Sequence, residues 1–152
     1  MYSLILGGLF LIIAEIFKPK KHKIFKIYDI NFIQSIIIGC VQALSLYPGC
    51  SRSGVTIATG VLLGFTRKVA IEFSFISSVP LLMGASFFEI FNNTKNLEIL
   101  NFSTLFIGFF MSLLISIFFI NKILNVTEKI SLIWFGFYRF LISGLIYFKL
   151  LN

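Results

Sequence analysis

The sequence predicts an all-α polytopic membrane protein with about four spanning helices and one re-entrant helical hairpin. Three observations lead there. First, 58% of the 152 residues are hydrophobic and only 12% are charged. So few charges cannot cover the water-facing surface of a soluble domain of this size, and the chain must dissolve in lipid. Second, the charges stand in clusters between apolar runs. Third, one apolar stretch is broken midway by a run of Pro, Gly, Ser and Arg.

Taken in order, residues 1–17 are apolar with a late Glu15 and end at Lys18-Pro19-Lys20. They lack the basic start and small-residue cleavage site of a removable signal peptide. They read as a spanning helix, short against the ~20 residues that a ~30 Å hydrocarbon core needs. Residues 18–31 carry Lys18, Lys20, Lys21, Lys23 and Lys26, a basic loop of the cytoplasmic kind. Residues 69–150 hold three further spans, about 69–91, 102–121 and 130–150, with loops at 92–101 and 121–129.

The stretch 32–66 differs. It is interrupted by Tyr47-Pro48-Gly49-Cys50-Ser51-Arg52-Ser53-Gly54, and proline ends a helix at about the residue before it. The flanking pieces, roughly 15 and 12 residues, reach only ~22 and ~18 Å, so neither crosses a bilayer. Two short helices joined by a polar turn make a re-entrant hairpin, sheltered by protein or a wet cavity. One kinked spanning helix is the alternative. The hairpin obeys the positive-inside rule at every loop: 18–31, Arg67-Lys68, Lys122 and Lys129 fall on one side, and 92–101 with its single lysine on the other. Small residues at Thr56, Gly60 and Gly64 lie along one face of the second hairpin helix and suit close packing.

The net charge of +7 does not make a nucleic-acid binder, because the basic residues flank apolar runs instead of forming a stripe beside aromatic platforms. Cys40 and Cys50 lie in apolar surroundings without a CxxC pair and His22 lies among lysines, so they assemble no metal site. The cysteines read as packing residues and His22 as a solvated loop residue.

Arg52 carries the chemistry. A guanidinium at membrane depth costs about 2.5–3.5 kcal/mol or more on insertion scales, so it demands a partner or a wet cavity. Ser51, Ser53 and Thr56 supply hydroxyls around it, Gly49 and Gly54 allow close backbone approach, and Ser53 fits the N-cap of the following helix. A planar fork, hydroxyls and a helix N-terminus together suit an oxyanion such as phosphate. Gln42 and Ser45 precede the turn and point to the same cavity. Glu72 pairs with Lys68 one turn earlier or turns toward Arg52, and both readings stand. The competing role for Arg52 is to tie two helices through carbonyls and a carboxylate. Arg139, with fewer polar neighbours, reads as structural. Hydrolysis would also need a general base, and 32–66 contains no Asp, Glu or His.

Four segments carry a resemblance: GGLFLIIAEIFKPK at 7–20, IGCVQALSLYPGCSRSGVTIATG at 38–60, EFSFISSVPLLMGA at 72–85 and YRF at 138–140. They resemble the bacterial undecaprenyl-diphosphate phosphatase family, also known for bacitracin resistance. The resemblance implies an inner-membrane hydrolase that regenerates a polyprenyl phosphate carrier for peptidoglycan synthesis. It implies an inverted-topology repeat, with the site open to the periplasm. It places Ser51, Arg52, Ser53 and Thr56 in the site of the polyprenyl diphosphate, the first three as catalytic residues, and carries Glu72 over as a further candidate, while Gly49, Gly54 and Gln42 join the substrate-binding set from the reading of the turn. It also implies a divalent cation, magnesium or calcium, that no cluster in this chain holds unaided.

The chain departs from that family in one respect. The family's first hairpin carries an acidic motif and a Ser-Ser-Thr-Gly-His segment, and nothing in residues 1–31 matches it. The expectation is therefore the second repeat alone, with 1–17 as the last span of a missing first repeat. An N-terminal half or partner chain would supply the base, and a second copy forming a homodimer is a further candidate partner. The alternatives are a lipid-phosphate transporter or flippase, which binds without hydrolysis, and a catalytically dead remnant.

Overall fold

The computed structural model describes residues 2–92 and 102–151, and these are helical almost throughout. The elements are α1 (Tyr2–Ile16), α2 (Phe32–Gln42) with a 3-10 extension (Ala43–Leu46), α3 (Arg52–Leu62), α4 (Arg67–Asn92), α5 (Phe102–Lys129) and α6 (Leu132–Leu151). Among the described residues α4, α5 and α6 are long and apolar enough to cross a membrane. The 15 residues of α1 extend about 22 Å and stand with the shorter apolar helices. The chain is an all-α, multi-pass membrane protein.

One boundary differs from the sequence expectation. The loop placed at 121–129 is the last part of α5, and the break falls at Ile130-Ser131. No glycine or proline occurs in that stretch to stop the helix. Ser131 then caps α6, its Oγ accepting from the Ile133 N–H at 3.3 Å. The loop expected at 92–101 lies largely outside the described residues.

The chain forms two compact units. In the unit of Ile76–Thr127, nearly every described side chain is exposed, including Phe87, Phe106, Phe109 and Phe118. A surface of that composition is suited to hydrocarbon and not to water.

The other unit, Met1–Phe75 with Glu128–Asn152, holds the hairpin. Its centre is α1, which packs on both α3 and α6. The α1–α6 crossing is made by glycines: a Cβ on Gly136 would lie 2.7 Å from Ile12 and 3.0 Å from the Gly8 carbonyl oxygen. Without side chains there, the two backbones approach as closely as small-residue membrane crossings allow.

Hydrogen bonds fix both ends of the hairpin. α2 opens on a capping box, in which Asn31 Oδ1 accepts from the Gln34 N–H at 2.8 Å and Gln34 returns the bond to Asn31. At the tip, the Ser3 hydroxyl donates to the Pro48 carbonyl and Cys50 Sγ donates to the Ser3 carbonyl at 3.4 Å. The tip therefore sits beside the N-terminal end of α1. From there α3 runs back along α1. It ends in a Schellman motif: Gly64 N–H donates to the Val61 carbonyl at 3.1 Å and Phe65 N–H to the Gly60 carbonyl at 3.0 Å, with Gly64 at φ +88°. Gly64 is thus a helix stop, not part of a packing face. Gly60 is the true close contact, since a Cβ there would meet the Ala70 Cβ of α4 at 3.1 Å.

The base of the hairpin is tied to the basic loop. Lys23 N–H donates to the Gly64 carbonyl and Thr66 N–H to the Ile24 carbonyl, both at 2.9 Å. Ile24 is buried, and His22 Nδ1 lies 3.1 Å from the Phe65 carbonyl oxygen. His22 is therefore an exposed loop residue that also bonds to the turn after α3. Beside this junction Arg67 donates to Glu15 Oε2 at 2.5 Å and to the Ile130 carbonyl, joining the C-terminal end of α1 to the starts of α4 and α6. Lys18 adds a more exposed contact to Glu15 at 2.8 Å.

The Arg67–Glu15 pair is largely buried, so losing one partner strands the other. Glu15→Ala is expected to cost about 2–3 kcal/mol, between the loss of a charged hydrogen bond and the breaking of a fully buried pair. Lys18→Ala should cost about 0.5 kcal/mol or less, as an exposed pair. Thermal unfolding of the two variants in one detergent checks the contrast.

Candidate functional site

The turn at the hairpin tip shapes the site. Tyr47 ends the 3-10 extension, Cys50 N–H donates to the Tyr47 carbonyl at 3.1 Å, and Gly49 takes φ +97°. That backbone is open to glycine, and the space is closed as well: a Cβ on Gly49 would lie 2.8 Å from Ser3 Oγ and 3.3 Å from Leu4. Residues 48–50 are thereby pressed against α1, and Ser51 is delivered in extended conformation at the start of α3.

Ser51, not Ser53, is the N-cap. Its Oγ accepts from the Gly54 N–H at 3.1 Å and lies 3.2 Å from Ser53 Oγ. The shift of two residues from expectation has a simple cause. Arg52 and Ser53 already have helical backbone, because α3 resumes as soon as the glycine turn has reversed the chain. Arg52 is consequently the first helical residue, beside N–H groups that have no intrahelical acceptor. Its side chain is half-buried, and its Nη1 is buried with no hydrogen-bond partner among the described residues.

The other expected residues divide. Thr56 is buried and donates its hydroxyl hydrogen to the Arg52 carbonyl at 2.9 Å, so it braces the first turn of α3 and keeps only lone pairs free. Gln42 is buried at the end of α2, where its carbonyl accepts the Ser45 hydroxyl at 2.6 Å. Glu72 lies in the second turn of α4. Among the described residues it makes an ion pair neither with Lys68 nor with Arg52. The structure therefore brings Gly49, Ser51, Arg52, Ser53 and Gly54 together, with Thr56 one turn into α3.

It also brings in Arg139. The guanidinium carbon of Arg139 and the Cα of Cys50 both lie 3.8 Å from where a Gly7 Cβ would stand, and Arg139 Nη1 lies 2.5 Å from that point. A methyl group on Gly7 would collide with it. An arginine in an apolar span was the available signal, but its approach to the turn depends on a helix crossing that no local pattern announces. Arg139 thus approaches the turn that opens α3 with Arg52, and neither guanidinium forms an ion pair among the described residues. No three His, Cys, Asp or Glu side chains come together among the described residues. The described residues at the turn thus offer hydrogen-bond donors and no carboxylate cluster of the kind a divalent cation takes.

A multi-pass membrane protein with an arginine- and serine-bearing turn at a broken helix is the class that fold and site define. The chain belongs to the family described as bacitracin resistance protein BacA, whose family model matches residues 1–145. An undecaprenyl-diphosphatase of Buchnera aphidicola subsp. Acyrthosiphon pisum (strain Tuc7) is 60% identical over 148 residues, 97% of this chain and 56% of that protein. Another, of Buchnera aphidicola subsp. Schizaphis graminum (strain Sg), is 57% identical over the same shares. The chain spans about half the length of the curated relatives it matches.

Gly49→Ala combines a disfavoured φ with a collision at Ser3, and should destabilise by more than about 1 kcal/mol. Ser51→Ala loses the cap at about 1 kcal/mol, whereas Ser51→Gly should lose only a few tenths. Denaturant or thermal melts of the three variants check the order.

Proposed function

We propose that this chain supplies the diphosphate-binding part of an undecaprenyl-diphosphate phosphatase, which hydrolyses the lipid diphosphate to undecaprenyl phosphate and inorganic phosphate. The observation that carries this reading is the buried Arg52 Nη1 with no protein partner among the described residues, at the N-terminus of α3. A buried guanidinium hydrogen without an acceptor costs several kcal/mol. It is retained where an anion completes it.

In this reading Arg52 grips the terminal phosphoryl oxygens. The hydroxyls of Ser51 and Ser53 and the first N–H groups of α3 point donors at the same charge, as phosphoryl transfer requires of a preorganised site. Thr56 holds the Arg52 carbonyl and so keeps the turn in place. The general base that activates water comes from outside this donor set. In the membrane, α2 and α3 dip in and return, the basic loop 18–31 faces the cytoplasm of a bacterial inner membrane, and the turn opens toward the periplasm. The activity named for the relatives, the family membership and the placement of the lysines support this arrangement.

Titration of the purified chain with inorganic diphosphate tests it. Arg52→Ala should weaken binding at least tenfold while leaving the melting temperature unchanged or higher, since an uncompensated charge is removed. An affinity loss matched by an equal loss of stability would make Arg52 a helix tie instead. Ser51→Asp should keep the cap and abolish binding, because it sets a carboxylate where the anion sits. Residues 1–152 alone should bind diphosphate yet release little or no phosphate from a polyprenyl diphosphate.

A further inference from the structure

The loop between α1 and α2 is basic, yet its backbone is not a free tether. Lys23 N–H donates to the Gly64 carbonyl and Thr66 N–H to the Ile24 carbonyl, so this segment pairs with the turn between α3 and α4 as a short parallel bridge. Ile24 is buried in that bridge, while Lys23 and Phe25 on either side of it are exposed. Successive side chains on extended backbone face opposite ways. An ammonium and an aromatic ring therefore leave the same face of the loop, two residues apart. The combination recurs just beyond, where Lys26 Nζ stands 5.4 Å from the centroid of the Tyr28 ring.

These charges are not spent inside the protein. Lys18 meets Glu15, a carboxylate it shares with Arg67. Lys20, Lys21, Lys23 and Lys26 are exposed, and none of them forms an ion pair among the described residues. The one acid in 18–31 is Asp29. The rings are just as open: Phe17, Phe25, Tyr28 and Phe32 are 64–79% exposed. Aromatic rings beside ammonium groups at the ends of apolar helices are the composition of a membrane–water boundary, where rings sit at headgroup level and lysines reach toward phosphates. A polyanion in solution would satisfy the lysines and leave the rings in water.

We propose that residues 17–28 form a ledge that lies on the membrane surface and binds the headgroups of anionic phospholipids of the phosphatidylglycerol type. The ammonium groups supply the attraction to the phosphates, and the rings fix the depth at which the ledge rests. Because its backbone is bonded to the turn between α3 and α4, headgroups held by the ledge also steady the base of the hairpin. This site is separate from the turn at the tip and does not require that turn to bind diphosphate.

Lipid quenching of a single indole tests the ledge. Tyr28→Trp combined with Trp134→Phe leaves one tryptophan in the chain, since Trp134 is the sole natural one. The 152-residue protein is reconstituted in phosphatidylcholine vesicles that contain either brominated phosphatidylglycerol or brominated phosphatidylcholine at equal mole fraction. The brominated phosphatidylglycerol should quench about threefold or more strongly, given the attraction of each lysine to an anionic surface. That preference should vanish in about 1 M salt, where the Debye length is ~3 Å. On the same background, Lys20→Gln with Lys21→Gln, and separately Lys23→Gln with Lys26→Gln, should each weaken it, so that the outcome does not hang on one variant that misfolds. Lys149→Gln removes a charge at the far end of α6 and should keep it. Equal quenching by the two lipids, or a preference that survives both double substitutions, overturns the proposal. Quenching by neither lipid places the loop in water and overturns it as well, and a single-stranded oligonucleotide bound by the same chain would then identify the partner as a polyanion in solution.

Discussion

The structure depends on how a broken helix is held against an unbroken one. Pro48 and Gly49 stop the chain partway, and the freed backbone groups must find partners where water is scarce. The partners come from α1. Its N-terminal end receives the tip through Ser3, and its C-terminal end receives the base through Glu15 and Arg67. With the chain clamped at both extremes, α3 has no freedom to continue as a straight extension of α2. Residues 32–66 depart from the level of the basic loop and come back to it, where Ile24 and Gly64 share hydrogen bonds. Everything at the tip inherits its position from those two clamps.

Much of this was legible in the residues. The apolar runs and their lengths announced a membrane protein, and the Pro-Gly pair within one of them announced the reversal. The lysine cluster at 18–26 marked the loop after α1. Boundaries governed by local chemistry were less visible. Glycine in a GxxxG spacing has two uses, close packing and a left-handed helix stop, and Gly60 and Gly64 divide them between each other. A run of Asn, Lys and Glu after an apolar span looks like a loop, yet residues 121–129 stay helical because nothing in them terminates a helix.

The broken-helix turn with its arginine and serines was legible, but its inner geometry was less so. Arginine among serines and glycines at a helix break signals an oxyanion, whatever the surrounding fold. Which serine caps the helix depends on where the turn ends, and that is decided by contact with Ser3 and Leu4, some 45 residues earlier in the chain. Glu72 shows the converse limit. Its spacing from Lys68 suits a helix pair, but the two side chains do not meet among the described contacts.

The crossing of α1 and α6 adds a final consequence. Arg139 follows Gly136 by three residues, so it rises from the same side of α6 that lies against Gly8. The distance between that second guanidinium and Cys50 is therefore set by two residues that carry no charge and never touch an anion. Exchanging either for alanine would prise the helices apart by the width of a methyl group and carry the arginine away with its helix. The electric field over the turn would change although every residue of the turn remained in place. Two uncharged glycines thus act as a mechanical spacer that tunes the electrostatics around the turn.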